Sequence, residues 1–211
     1  MDGDMTLDVA GRVVGWIGAV IGLGTLGLAL VAMVRSLHRP SGSVEPGARI
    51  VLRLPLLLVA TLGFIVAGVW LWRPIPIPLG SGLSTLSSSA GIILLSAGCS
   101  LYLWGLRSLG SMFGPSSGFG VRLSAGHRLI DSGPYARVRH PMYLAVMIAA
   151  LGSLLLYRTW ATLAFAVLML GLVVRSRREE RVLAQEFGQE WREYAARVPA
   201  WIPRMRRDPP A

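Results

Sequence analysis

Charge-free apolar stretches divide the chain into blocks close to twenty residues long. The first runs from Val13 to Val34, 22 residues without a charged side chain. As a helix it measures about 33 Å, enough to cross the hydrocarbon core of a bilayer. The second, Leu54 to Trp72, carries Pro55 near its start, where a helix tolerates proline. Pro74, Pro76 and Pro78 then break it. No charge occurs from Pro74 to Leu106. The pattern predicts a third span over Leu86 to Leu106, following a Gly/Ser-rich turn near Gly80 to Ser89. The last block, Pro141 to Val174, is interrupted only by Arg158. It is too long for a single crossing, so it predicts a helical hairpin with its tip at Tyr157-Arg158-Thr159. These blocks are continuous rather than alternating, which predicts helices and not barrel strands. The expected fold class is therefore all-α. It is a polytopic integral membrane protein with about five transmembrane helices, a hairpin formed by spans four and five, and a cytoplasmic C-terminal amphipathic helix. That last helix is read from Leu183, Phe187, Trp191, Tyr194 and Val198, spaced four, four, three and four apart. It is expected either to lie on the membrane interface or to fold over a site as a lid.

Composition agrees. Hydrophobic residues make up 53% of the 211, charged residues 15%, and the mean hydropathy is +0.56. A soluble domain carries about 25% charged residues, so an ordinary globule and a disordered chain are both excluded. A single cysteine, Cys99, excludes a disulfide scaffold and a thiolate zinc cluster. Three histidines (His38, His127 and His140) are too few for a multi-histidine iron site, and no metal is expected.

The net charge of +10 rests on 21 basic residues, all of them arginine. Such a balance could indicate nucleic acid, but these arginines sort by membrane side, and no nucleic-acid partner is expected. Arg35, Arg39, Arg49 and Arg53 flank the first loop. Arg107, Arg122, Arg128, Arg137 and Arg139 occupy the third, and nine more follow Val174. Only Arg12, Arg73 and Arg158 fall on the other side, a split of 18 to 3. The positive-inside rule then puts the N-terminus outside, and the long loop and C-terminal end in the cytoplasm. The lysine-free composition points to a bacterial plasma membrane. Asp2, Asp4 and Asp8, with no basic region before them, argue against a cleaved signal peptide. In the first span Gly11, Gly15, Gly18 and Gly22 allow close helix approach; packing within the chain is the expectation and a dimer interface the alternative. Nothing in the pattern favours a particular oligomeric state. The chain divides into a three-span membrane region over residues 1–111 and a part over residues 112–211 that holds the loop, the hairpin and the final helix.

Two cytoplasmic segments could carry chemistry. In the first, Gly126 to Tyr143, Gly133-Pro134 signals a turn and Arg139-His140-Pro141 opens the fourth span. His140 and Tyr143 then lie one turn apart on one face at the membrane surface. The second, Arg175 to Tyr194, leaves the fifth span with Arg175 and Glu179 on a shared face. The hairpin returns both segments to the same side. Cations, carboxylates, aromatics and turn amides thus meet beside hydrocarbon, an arrangement suited to a polar cofactor and a lipophilic substrate. The bland alternative is a solvated helix face with its basic flank.

At these residues the sequence resembles the isoprenylcysteine carboxyl methyltransferase family, integral-membrane enzymes that use S-adenosylmethionine. The resemblance rests on HRLIDSGPYARVRHPMY at His127 to Tyr143, RSRREERVL at Arg175 to Leu183, FGQEWREY at Phe187 to Tyr194 and RVP at Arg197 to Pro199. It implies S-adenosylmethionine as cofactor, with S-adenosylhomocysteine as product. The implied cofactor contacts are His127, Arg128, Leu129, Ile130, Tyr135, His140, Pro141, Met142, Tyr143 and Glu179. Arg175 is implied as the catalytic arginine facing the acceptor. Where animal members place a cofactor-binding glutamine, this chain has Gly120, so the resemblance does not carry that contact over. In these roles His140 or Tyr143 would bind the amino-acid head, Tyr135 would pack on adenine, and Glu179 would accept from the ammonium or a ribose hydroxyl. Arg128, Leu129 and Ile130 would act through backbone groups, while Glu180 is expected to point elsewhere. The expected partners are membrane lipids and a lipophilic small-molecule or lipidated acceptor from the bilayer. Carboxyl O-methylation of an isoprenylcysteine-like substrate leads. Phospholipid-headgroup N-methylation and small-thiol S-methylation are the alternatives within the chemistry, and an NADPH-dependent sterol-type reductase or a non-catalytic subunit are alternatives outside it.

Overall fold

The structure, a computed structural model, describes residues 2–37, 54–113 and 128–203. These form helices α1 (Asp2–Leu37), α2 (Leu54–Trp70), α3 (Ser81–Leu109), α4 (Pro141–Tyr157), α5 (Trp160–Met169) and α6 (Gly171–Arg197), with 3₁₀ turns at Gly110–Met112 and Gly133–Ala136. The class is all-α, as the apolar blocks require. Leu170, between α5 and α6, keeps helical angles (φ −61°, ψ −26°), so these two make one rod with a locally tightened turn.

Among the described residues three stretches are long and apolar enough to cross a membrane: Gly11–Ser36, Ser81–Met112 and Trp160–Arg197. The helices α2 and α4 have 17 residues each, about 25 Å, at the short end of a spanning length. Trp16, Val20 and Leu23 on α1 and Val59 and Val69 on α2 are all more than two-thirds exposed. Water would not tolerate that much contiguous apolar surface, whereas hydrocarbon does. The chain is a multi-pass membrane protein.

The expected turn at Gly80 to Ser89 is not one: α3 begins at Ser81 and runs through it. The hydroxyls are absorbed by backbone carbonyls. Thr85 Oγ1 donates to Ser81 O at 3.0 Å, and Ser87 Oγ reaches across to Leu155 O at 2.8 Å. In an apolar setting such bonds hold serine inside a helix, and the punctuation value of serine in soluble chains is lost.

The tightest packing is between α3 and α4. A Cβ on Gly98 would stand 2.6 Å from Ala149 N and 2.7 Å from Ala145 O, and one on Gly91 would stand 2.6 Å from Leu156 N. Gly152 makes the reciprocal approach to Leu95 N. Backbones touch here because no side chain intervenes. α1 lies over this pair. Gly18 fits against Leu156, Tyr157 and Leu95, and Tyr157 Oη donates to Gly15 O at 2.8 Å. Packing within the chain is thus what Gly15 and Gly18 do, whereas Gly11 and Gly22 meet nothing within 4 Å. Leu95, Cys99 and Leu156 form the buried centre of this three-helix contact.

The hairpin turns at the expected tip. Arg158 takes the left-handed conformation (φ 50°), and Thr159 caps α5 in a reciprocal box with Thr162. The segment after α2 clasps this tip: Ile75 N donates to Arg158 O at 2.8 Å and Trp160 N to Arg73 O at 3.1 Å. At the opposite end of the hairpin Gly188 (φ 53°) breaks α6. Beyond the break Trp191, Tyr194 and Val198 are buried against Leu129, Leu183 and Phe187. The apolar stripe of the final helix is therefore packed against Leu129, in the described segment that precedes α4.

Candidate active site

The site forms where α4 begins and α6 leaves the apolar region. Pro141 occupies the first turn of α4, where its missing N–H costs nothing, and it is fully buried. His140 precedes it as the N-cap residue and is 6% exposed. One turn on, the Tyr143 ring stacks parallel to the His140 ring, with centroids 5.7 Å apart and planes 4° apart. The shared face expected of these residues is realised.

Across from them stand the two carboxylates of α6. Tyr143 Oη donates to Glu179 Oε2 at 2.7 Å, and His140 Nε2 lies 2.9 Å from Glu180 Oε1. Arg139 Nη1 adds a 3.2 Å ion pair to the same Glu180 oxygen. Here the sequence reading is corrected, because Glu180 faces the site. Successive helical residues diverge by about 100°, but the partners on α4 are themselves one turn apart. Glu179 takes the far one and Glu180 the near one. The hydrogen bond from His140 holds the Glu180 carboxyl below its usual range; burial opposes this, and Arg139 assists it. Arg139 and Glu180 join the cluster beyond the residues that the sequence reading singles out. The signal for them was present in their adjacency to His140 and Glu179.

Arg175 projects from α6 with its guanidinium carbon 5.7 Å from the centre of the Tyr143 ring, a cation–π approach. Tyr135 sits in the Gly133–Ala136 turn, and its carbonyl accepts from Tyr194 Oη at 2.9 Å. Burial first, and the nearby Glu179 second, push the Tyr135 phenol above its ordinary value, so it stays a neutral donor. Gly133 (φ 61°) lies so close to Ser108 Oγ that a Cβ would collide with it. Met142 lies against Gly105 of α3, where a Cβ would come within 2.8 Å of Met142 Cγ. Arg137 rests over Trp104 at 5.3 Å, and the C-terminal end of α3 thereby supports the turn.

The remaining positions are less central. Leu129 is half-buried beneath Trp191 and Tyr194, Ile130 is half-buried and Arg128 is exposed. His127, Gly120 and the rest of the segment from Gly114 lie outside the described residues. Among the described residues no group of three His, Cys, Asp or Glu side chains could hold a metal ion.

The donor set suits S-adenosylmethionine. Two carboxylates match an ammonium and ribose hydroxyls, arginines match a carboxylate, and aromatic faces match adenine and a sulfonium. Arg139 Nε is buried with no hydrogen-bond partner among the described residues, a donor for which an anionic group would be the natural acceptor.

Residues 86–190 match the family described as phospholipid methyltransferase. Over 85 residues the chain is 35% identical to protein-S-isoprenylcysteine O-methyltransferase B of Arabidopsis thaliana, covering 39% of this chain and 43% of that one. It is 38% identical over 79 residues to the cobalt-zinc-cadmium resistance protein CzcN of Cupriavidus metallidurans, 36% of each chain. It is also 38% identical over 85 residues to a Delta(14)-sterol reductase of Mus musculus, 37% of this chain and 20% of that one. The chain thus spans less than half the length of each of these relatives. Residues 86–190 take in His127–Tyr143, the hairpin and Arg175–Leu183, and the chain belongs to the phospholipid and isoprenylcysteine methyltransferase family of membrane proteins, whose methyl donor is S-adenosylmethionine.

Proposed function

We propose that this chain binds S-adenosylmethionine at the cytoplasmic membrane face and moves its methyl group to a lipophilic acceptor from the bilayer. The leading acceptor class is a carboxylate of the isoprenylcysteine type. The observation that carries the reading is the meeting of the two motifs, Tyr143 with Glu179 at 2.7 Å and His140 with Glu180 at 2.9 Å, across 36 and 40 residues of chain. When bound, the cofactor supplies a methyl group made electrophilic by the attached sulfonium.

The chain's own residues would do the rest. Glu179, released from Tyr143, accepts from the cofactor's ammonium or ribose hydroxyls. His140 and Tyr143 bind the amino-acid head, and Arg139 adds a cation beside its carboxylate. Tyr135 packs on the adenine, with the backbone groups of Arg128, Leu129 and Ile130 at its edge and His127 beside them. Pro141 and Met142 form the apolar wall. Arg175 orients the acceptor: its charge is permanent and its planar fork matches a carboxylate. Such an acceptor is already ionised at neutral pH and needs desolvation and alignment rather than a base. A headgroup amine would arrive protonated and require one, which favours the anionic acceptor. The 18 to 3 arginine split supports five spans, with the loop before α4 and the whole site on the cytoplasmic side.

Transfer of radiolabelled methyl into total lipid, prenylcysteine analogues and small thiols tests the acceptor. Label in the prenylcysteine carboxyl is expected; label confined to lipid amines or thiols overturns that choice. Arg175→Ala is expected to lower kcat on the carboxylate acceptor by about 100-fold or more while S-adenosylhomocysteine still binds. Wild-type turnover in that variant overturns the role of Arg175. The sterol reductase match gives a second reading, a nicotinamide-dependent reductase. Titration with S-adenosylhomocysteine against NADPH separates the two, and binding of NADPH alone would replace the methyltransferase reading.

A further inference from the structure

The segment that follows α6 does more than cover the site. Residues entering a helix leave backbone N–H groups without helical partners. At the start of α4 two of these are satisfied from far along the chain. Arg139 N donates to Pro199 O at 2.9 Å, and His140 N donates to Ala200 O at 3.2 Å. The next residue, Trp201, brings its ring to 5.5 Å from the His140 ring at 33°. Two aromatic rings therefore adjoin His140, Tyr143 at 5.7 Å and Trp201 at 5.5 Å, with Glu180 on Nε2. The segment is anchored just before this point by Val198, 8% exposed, and by Trp191, over which Arg139 lies at 5.8 Å.

We propose that Trp201 is a positioning residue of this site, its indole fixing the plane of the His140 imidazole, so that the segment Pro199–Trp201 forms part of the active site. The inference rests on the cofactor reading for its functional consequence but not for its geometry. An imidazole without the Trp201 contact could rotate about its side-chain torsions and lose either Glu180 or Tyr143. Contact with both rings restrains that freedom before any ligand arrives, and preorganisation of this kind raises affinity.

The test uses the whole chain in detergent micelles, with Trp201→Ala, Trp201→Phe and Val198→Ala compared with wild type. Diethyl pyrocarbonate modification, mapped by mass spectrometry, reads the exposure of His140, and calorimetric titration with S-adenosylhomocysteine reads the site. In Trp201→Ala, His140 is expected to react several-fold faster, with affinity lower by about three- to tenfold, the range set by the loss of one aromatic pair. Trp201→Phe is expected to restore both. Val198→Ala, which weakens the anchor without touching His140, is expected to lower the unfolding temperature and leave His140 protected. Unchanged protection of His140 in Trp201→Ala overturns the proposal, as does equal exposure of His140 in Val198→Ala. A wild-type protein that binds no S-adenosylhomocysteine overturns the cofactor reading instead, while His140 protection still decides the role of Trp201.

Discussion

Glu180 shows how much hangs on one carboxylate. A single oxygen holds His140 at 2.9 Å and Arg139 at 3.2 Å, with the side chain 25% exposed. Glu180 lies six residues beyond Val174, where the charge-free apolar run ends and the arginine-rich part of α6 begins. Its carboxyl titrates below the ordinary 4.5 because His140 hydrogen-bonds the charged form. A carboxyl lowered on folding contributes stability above its unfolded value, and that contribution is lost as pH falls through the folded value. Glu180→Gln is therefore expected to cost about 1.5–3 kcal/mol near neutral pH, the worth of charge-assisted hydrogen bonds. Thermal unfolding of wild type and variant checks this, and their difference should close as pH drops below 4.5. A gap independent of pH would mean that packing, not charge, holds the pair. The resemblance implies a role for Glu179, while the helix-face reading turns Glu180 elsewhere. One helix face, judged without its partner, could not reveal that both carboxylates are used.

Helix placement was legible in the sequence wherever it followed from continuous apolar length or from backbone punctuation. Arg158 and Thr159 turn the hairpin as expected, and Pro141 opens α4. What was not legible is where helices touch. The glycines singled out lie in the first span, where Gly11 and Gly22 meet nothing. The contacts that decide packing are Gly91, Gly98 and Gly105, seven apart on one face of α3, and Gly152 on α4. A glycine on a helix face reads the same whether a neighbour presses on it or lipid does. The Gly80 to Ser89 stretch misled for a related reason, since its serines are loop-forming in water and harmless in hydrocarbon. These two classes of glycine make a matched experiment. Gly98→Ala must push α4 away, because the new methyl would meet the Ala149 and Ala145 backbone, and it is expected to destabilise by about 1–3 kcal/mol. Gly22→Ala adds a methyl to open space and is expected to be neutral or to stabilise slightly, through better helix propensity. Unfolding titrations in mixed micelles measure both; equal effects would mean that the α3–α4 contact is looser than described.

At the scale of the molecule, the two ends of the hairpin do different things. At one end Arg73, Arg158 and Thr159 are clasped by backbone hydrogen bonds and by Ser84, whose Oγ accepts from Arg158 Nη1 at 3.0 Å. At the other, His140, Tyr143, Glu179 and Glu180 are gathered under the folded-back segment beyond Gly188. The length of α4 separates these ends by about 25 Å, close to the hydrocarbon thickness. A short helix can cross if polar groups wait at both of its ends, and here they do. The clasp end is rigid and holds few arginines. The site end gathers Arg137, Arg139 and Arg175. If five spans cross with the site inward, the exposed Arg73 and Arg178 lie on opposite faces of the membrane. With Cys99 replaced by serine, Arg73→Cys is expected to react with a membrane-impermeant maleimide on intact cells. Arg178→Cys is expected to react only after permeabilisation. Labelling of both from one side would mean that α4 does not cross, and the site would then need another route to a lipophilic acceptor.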